Sequence, residues 1–374
     1  MGGWWPWRIP WKRRRAWLSG RGLCGIVRAW ERATMTQQHS PCHGAAGTLH
    51  VTLDELRERG PLFHATWVAI GNFDGLHVGH QRILKTAVAQ AAGGAAPVAL
   101  TFHPHPRAVV GSGAPPALMT LAARSACIRA FGVQCTVCLR FDADLARLPA
   151  TDFVQAVLVK GLAARGVVVG ENFRFGHRAQ GTPQLLRELG HRLGFAVTVV
   201  EPVRCGGDIV SSSLVRRRLL EGDVEAAARL LDRPFRLSGR VVRGDGRGRT
   251  LGFPTANVLP DPELLLPGEG VYRVRFWRDG MEALPALAVI SSRPTFTAGP
   301  VALEVHILDF SGDLYGEAVE VEFLDRVRGI VRFRSAEELR RQIQQDVAAA
   351  RARFAADGQG RPQPAASSCG GPRA

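Results

Sequence analysis

From Thr66 to Val200 short apolar runs alternate with stretches of helical length, whereas from Phe235 to Phe323 such runs follow one another with no helix between them. The two halves therefore cannot share one architecture. Strands separated by helices pair in parallel and carry helices on both faces of the sheet. The runs Thr66–Ile70, Pro97–Phe102, Val133–Arg140, Gly166–Val169 and Ala196–Val200, with helices near 79–92, 120–131, 151–161 and 183–193, fit that α/β plan. A helix over Glu221–Leu231 closes this half, and Asp232-Arg233-Pro234 forms a linker. Beyond it, Leu237–Val242, Val271–Trp277, Leu287–Ile290, Ala302–Leu308 and Ala318–Phe323, set between Gly and Pro turns, predict a small antiparallel barrel. A last helix opens on a Ser335/Glu338 capping box and places Leu339, Ile343, Val347, Ala350 and Phe354 on one face.

The chain has 374 residues, is 46% hydrophobic and carries a formal charge of +15. That apolar fraction excludes wholesale disorder and collagen-like repetition. No run approaches the ~18 to 20 consecutive apolar residues of a membrane-spanning helix. The charge raises the question of a polyanion. Of the 48 basic residues only Lys12, Lys85 and Lys160 are lysine, a skew that points to coding bias more than to a binding surface. Residues 1–34 hold eight basic side chains against Glu31 alone, and six of the eight tryptophans: Trp4, Trp5, Trp7, Trp11, Trp17 and Trp30. Interleaved Arg and Trp suit base stacking or a membrane interface; the plainer reading is a dispensable extension ahead of Met35. Arg21 and Arg28 interrupt the stretch after Arg13-Arg14-Arg15, so no export is expected. Seven scattered cysteines give a reduced, cytoplasmic pattern, and Cys135-x-x-Cys138 falls in a buried strand with no second pair at zinc spacing.

The segment Val68-Ala-Ile-Gly71-Asn72-Phe73-Asp74-Gly75-Leu76-His77-Val78-Gly79-His80 carries the sharpest chemistry. An apolar strand ends in a Gly-rich turn that opens a helix. Gly71, Gly75 and Gly79 let backbone amides approach an anion, and a helix N-terminus favours negative charge. His77 and His80 can donate to phosphate oxygens as charge builds on a leaving pyrophosphate. Ser211, Ser212 and Ser213 at a helix start can hydrogen-bond phosphate, and Arg216 adds a charge-assisted fork.

This pattern resembles the His-x-Gly-His signature of the nucleotidyltransferases. Thr101-Phe-His-Pro-His105-Pro106-Arg107, Gly170-Glu-Asn172-Phe173-Arg174-Phe175-Gly176 and Ser211-Ser212-Ser213-Leu-Val-Arg216 narrow the resemblance to the FMN adenylyltransferase module of the bacterial bifunctional riboflavin kinase/FAD synthetase family. It implies that the FMN phosphate attacks the α-phosphorus of MgATP, giving FAD and pyrophosphate. His77 and His80 would then be catalytic. Gly71, Phe73, Asp74, Gly75, Gly79, the three serines and Arg216 would bind ATP. His105, Pro106, Asn172, Phe173, Arg174 and Phe175 would contact the flavin nucleotide.

In the second half, Gly239 to Asn257 is dense in glycine and arginine. Such a loop can wrap polyphosphate through amides and guanidinium groups, here Gly244, Gly248, Arg249 and Gly252, while Thr255 and Asn257 offer oxygens to Mg²⁺. This stretch is similar to the riboflavin kinase signature with its Pro-Thr-Ala-Asn element. Gly270-Val-Tyr272, Arg293-Pro-Thr-Phe296, Leu303-Glu304-Val-His306 and Asp313-Leu-Tyr315-Gly316 extend the resemblance. By that resemblance Glu304 is the general base for the riboflavin 5′-hydroxyl, which attacks the γ-phosphate of MgATP, and Arg293, Tyr315 and Arg328 contact flavin. Two departures fall on the flavin side: Val289-Ile-Ser-Ser292 precedes Arg293, and Ile330 stands where the family carries a carboxylate.

The fold expected is α/β: a Rossmann-like His-x-Gly-His nucleotidyltransferase domain over 61–231, then a β-barrel riboflavin kinase domain over 235–355 with its C-terminal helix. Disordered ends are expected over 1–60 and 356–374. The expected protein is a cytoplasmic monomer or weak homo-oligomer that takes ATP, riboflavin and FMN, with Mg²⁺, and has neither nucleic acid nor membrane as partner. The alternatives are a monofunctional FAD synthetase whose barrel only binds flavin, and a protein that associates with nucleic acid or membrane through its extension.

Overall fold

The computed structural model describes residues 47–91, 93–111, 113–244, 247–279, 281–291 and 302–359. Six strands form one parallel sheet in the order β1-β4-β3-β2-β5-β6, where β1 is Gly47–Val51, β2 Thr66–Ile70, β3 Ala96–His103, β4 Cys135–Arg140, β5 Ala164–Gly170 and β6 Ala196–Val200. Helices α1 (Leu53–Glu58), α2 (Val78–Gln90), α3 (Leu121–Ala130) and α4 (Pro183–Leu193) connect them, together with a turn of helix at Ala150–Phe153 that runs on as a π-helix, Val154–Gly161. Buried Val68, Ile70, Val98, Leu100 and Val137 fill one sheet face, and Ala69, Ala99 and Val168 meet α2 and α3 on the other. Successive crossovers run from β2 through β3 to β4, whereas β5 and β6 lie on the opposite side of β2. The strand order therefore reverses between β2 and β5, and in open α/β sheets the ligand crevice sits at the carboxyl ends of the strands flanking that point.

Two helices follow, α5 (Ser212–Leu220) and α6 (Val224–Leu231), and then a closed antiparallel barrel. Its strands are β7 Phe235–Val242, β8 Ala256–Pro260, β9 Gly270–Arg278, β10 Leu284–Ser291, β11 Ala302–Ile307 and β12 Ala318–Arg328, ordered β8-β11-β10-β9-β12-β7. Alternate residues such as Leu237, Val258, Val274, Ala288, Val305 and Val321 point inward and are buried, as period-2 patterning requires. Helix α7, Ala336–Gln359, lays Val347 and Ala350 on the barrel's outer Val271, Leu287 and Leu308. Its start keeps half of the expected capping box: the Glu338 amide donates to Ser335 Oγ at 3.1 Å, while the Glu338 carboxylate accepts the Arg334 amide at 2.8 Å.

Three expectations are corrected. Residues 47–60 are not part of a disordered extension: β1 pairs with β4 along its whole length, and Thr52 caps α1 through a full capping box. A five-residue strand whose partner lies far along the chain leaves little local signal. The Ala256–Pro260 stretch, absent from the strands expected, is a barrel strand. The last helix extends past 355 to Gln359, since the Ala-rich stretch after Phe354 favours helix. The expected extension over 1–46 and the tail from 360 lie outside the described residues. Cys135 and Cys138 sit buried in β4 as expected. Among the described residues no helix is long and apolar enough to cross a membrane.

Candidate active sites

The first site is built on the turn between β2 and α2. Phe73, Gly75 and Leu76 all take positive φ, at 51°, 78° and 44°, and the Phe73 and Leu76 side chains are fully buried. At φ 78° any side chain at Gly75 would be strained, and a Cβ there would also press on Leu118, 2.6 Å from its Cδ1, so glycine suits the position. The turn delivers His77 as the N-cap of α2, its Nδ1 accepting the His80 amide at 3.3 Å. A neutral imidazole that accepts at Nδ1 carries its proton on Nε2. The two rings stack with centroids 3.7 Å apart, and His80 also meets the Phe73 ring at 5.4 Å. Burial, with Arg233 and Arg216 facing it, pushes His77 down to about 4. Burial, then His77 and Arg124, hold His80 well below its ordinary value. Both histidines are thus neutral donors at physiological pH, and His80 Nδ1 is buried without a hydrogen-bond partner.

Asp74 is the organiser of the site. It is 3% exposed, is paired with Arg216, faces Arg124 at 3.6 Å, and accepts the Leu118 amide at 3.0 Å. Arg216 also donates through Nε to the Pro116 carbonyl at 2.7 Å. Its fork is therefore spent largely on protein and is not presented open to phosphate. Ser211 caps α5 by accepting the Leu214 amide, and Ser212 donates to the Asp74 carbonyl at 2.8 Å; Ser213 is exposed. His105 comes to the same site, with Nε2 3.3 Å from the Asn72 amide nitrogen, and it caps the short helix that Pro106 begins. Burial lowers the His105 pKa, with Asp74 opposing and Arg216 reinforcing that shift.

Some expected ligands serve the fold instead. The Gly71 amide donates to Leu100 O at 3.1 Å, which takes it out of any anion cradle. Phe73 offers no side chain to a ligand. Phe175 is 6% exposed and packs on Phe153 and Phe173 in the sheet's core, so it is a core residue; Phe173 is half-buried, and Asn172 and Arg174 are exposed at the carboxyl end of β5. A Cβ at Gly79 would touch the His77 ring at 3.1 Å, so glycine there leaves room for the stacked imidazoles. Sequence reasoning missed Arg124 and Arg233, since neither belongs to a recognisable motif and both act through distant backbone carbonyls.

The second site lies at one mouth of the barrel. A cavity of about 520 Å³ is lined by Arg249, Thr255, Phe310, Asp313 and Tyr315 among others. Thr255 belongs also to the outer face, where its Oγ1 is 3.4 Å from Glu304 Oε2. Asn257 stands directly opposite Glu304 in the β8–β11 ladder. The glycines of the preceding loop fit around these side chains: a Cβ at Gly244 would lie 2.1 Å from Asn257 Nδ2, and one at Gly248 would lie 2.4 Å from Phe253 O and 3.1 Å from Thr255 Oγ1. Gly252 turns the loop with φ 86°. Tyr315, expected at the flavin, lines the same cavity as Thr255 and Arg249, with Arg243 5.4 Å over its ring. Arg328 does not line that cavity; its Nε donates to Asp346 of α7 at 2.9 Å. Arg293 lies outside the described residues, and Ile330 is 43% exposed.

A stacked histidine pair at the strand-order reversal of a parallel sheet, joined to a barrel with a Thr–Asn–Glu cluster, is the layout of a two-site enzyme. Residues 61–214 match the FAD synthetase family model and residues 231–354 the riboflavin kinase model. The bifunctional riboflavin kinase/FMN adenylyltransferase of Escherichia coli K12 is 39% identical over 77% of this chain and 92% of its own length, and that of Pseudomonas fluorescens is 41% identical over 76% and 91%. A solved structure described as a macrolide-efflux protein from Streptococcus pneumoniae matches at TM-score 0.73 and 29% identity, over 81% of this chain and 99% of that one. The chain belongs to the bifunctional riboflavin kinase/FMN adenylyltransferase family.

Proposed function

We propose that the chain makes FMN at the barrel and FAD at the sheet, with the roles of individual residues as follows. Its membership of the family makes it a riboflavin kinase and FMN adenylyltransferase, an enzyme that uses ATP twice. At the sheet, the neutral imidazoles of His77 and His80 donate to ATP phosphate oxygens as pyrophosphate leaves, and the amides opening α2 add the helix-end field. The stacked, buried histidine pair at the strand-order reversal is the observation that carries this reading. Asp74 holds Arg216 beside that crevice, so Arg216 acts as much by fixing the turn as by meeting phosphate. His105, Pro106, Asn172, Phe173 and Arg174 border the crevice where FMN enters.

At the barrel, the Gly244–Gly252 loop and Arg249 hold the nucleotide in the 520 Å³ cavity, with Tyr315 on its nucleotide side. Glu304 accepts the proton of the riboflavin hydroxyl, which attacks the γ-phosphate from the outer face; Arg293 contributes to flavin binding, and Arg328 braces α7 through Asp346. The oxygen donors of Thr255 and Asn257, cradled by Gly244 and Gly248, suit a hard cation. Mg²⁺ bound there with the nucleotide would offset phosphate charge. The chain works in the cytoplasm as a monomer or weak homo-oligomer, without nucleic acid or membrane. In support, almost half of its +15 charge belongs to residues 1–34, and arginines such as Arg236, Arg278 and Arg328 are engaged by carboxylates.

The test is product analysis by chromatography from riboflavin plus MgATP. His77→Ala or His80→Ala should cut FAD formation by roughly 10²- to 10⁴-fold and spare FMN formation. Glu304→Gln should do the reverse when riboflavin is supplied, leaving FAD formation from added FMN intact. A substitution that stopped both steps equally would defeat the two-site assignment.

A further inference from the structure

We propose that Arg233, in the linker between the two modules, is a positioning residue for adenylyl transfer, clamping the turn that presents His77 to ATP. The inference rests on the His77/His80 reading above and extends it to a residue outside any motif. Arg233 follows α6 and precedes β7 by two positions, yet its guanidinium reaches back across the interface. Nη2 donates to Gly75 O at 2.7 Å, and Nη1 to Leu76 O at 3.3 Å and Leu231 O at 3.0 Å. Gln81, 4% exposed, repeats the bridge with Nε2 to Leu76 O at 3.1 Å and Leu231 O at 2.9 Å. The two carbonyls just before His77 are thus held by the end of α6 and the linker into the barrel.

The clamp acts where it is needed. Phe73 and Leu76 are non-glycine residues at φ 51° and 44°, a conformation that L side chains disfavour and that persists only when the surroundings over-determine it. A second barrel-borne support lies alongside. Leu265 N donates to Ala117 O at 2.8 Å and Ala117 N to Glu263 O at 2.7 Å, which sets Leu118, whose amide meets Asp74. Arg233 also faces His77 as a cation, together with Arg216 from α5 and His80 from α2 itself. It therefore fixes both where the ring stands and how readily the ring takes a proton.

The experiment compares Arg233→Gln and Arg233→Lys with the wild type as full-length chains, assaying FAD formation from FMN and FMN formation from riboflavin on the same preparation. The wild-type rate of FAD formation reports separately on the adenylyltransferase reading. In Arg233→Gln, kcat for FAD formation should fall roughly 10- to 100-fold, as a displaced catalytic turn does, while FMN formation stays within about twofold, a change well under 1 kcal/mol. The acid limb of its adenylyl-transfer pH profile should move to higher pH, because His77 loses a facing cation. Arg233→Lys, which keeps charge but not the fork, should leave that limb near the wild-type position with kcat only partly restored. The proposal is overturned if Arg233→Gln keeps FAD formation within twofold, if both activities fall together, or if the acid limb does not move.

Discussion

At the residue scale, the adenylyl-transfer site is a set of buried charges arranged so that two histidines stay uncharged. Asp74 sits between Arg124 and Arg216; burial first, and then the cations facing them (Arg233 and Arg216 at His77, Arg124 at His80), make protonation of the imidazoles unfavourable. This has a consequence for stability. The folded-state pKa of His77 lies at about 4, below the ordinary 6.5, so between those values the unfolded chain binds the proton first. Stability is therefore complete above pH 6.5 and declines as pH falls toward 4, by roughly 3 kcal/mol from this ring; His80 shifts in the same direction and deepens the loss. Thermal unfolding followed from pH 7.5 to 4.5 should show Tm falling across that window, and His77→Gln should flatten the slope by one proton. An equal slope in the variant would show that the ring is not desolvated in the fold.

At the element scale, loops rather than strands decide which atoms can meet. The loop before β8 works because Gly248 brings its backbone against Phe253 O and Thr255 Oγ1. In Gly248→Ala the added methyl would force the loop off Thr255. We expect kcat/KM for ATP in riboflavin phosphorylation to drop about tenfold, on the order of 1.4 kcal/mol, with FAD formation from added FMN unchanged; steady-state kinetics with varied ATP checks both. The glycines of this loop and the β2–α2 turn were legible in the sequence because close approach leaves a local mark. So were five of the six barrel strands, whose alternation is local too; the short Ala256–Pro260 strand, following directly on the Gly/Arg loop, was not. Elements and contacts whose partners are remote were not legible. β1 needs β4, the Arg216 fork is claimed by Asp74 142 residues away, and Phe175 has an aromatic pattern that suits flavin stacking and core packing equally. Arg328 illustrates the same point, since its carboxylate comes from Asp346 on α7 and not from the position held here by Ile330.

At the scale of the whole molecule, the two modules are not beads on a string. One continuous apolar cluster joins Leu214, Val215 and Leu219 of α5 and Val224, Ala227, Leu230 and Leu231 of α6 to Phe235, Leu237, Val274 and Phe323 of the barrel. Helices that end the first half in sequence thus belong, by packing, to the core of the second. Burying a Val or Leu side chain contributes about 1.5–3 kcal/mol, so the four α6 residues alone account for several kcal/mol of barrel stability. A barrel fragment that begins at Ser212 should therefore unfold at a clearly higher temperature than one that begins at Phe235, with the shorter fragment binding a hydrophobic dye through the face that α6 covers. Calorimetry of the two fragments decides the matter. Matching Tm values would assign α5 and α6 to the sheet, and the barrel would then have to be stable without them.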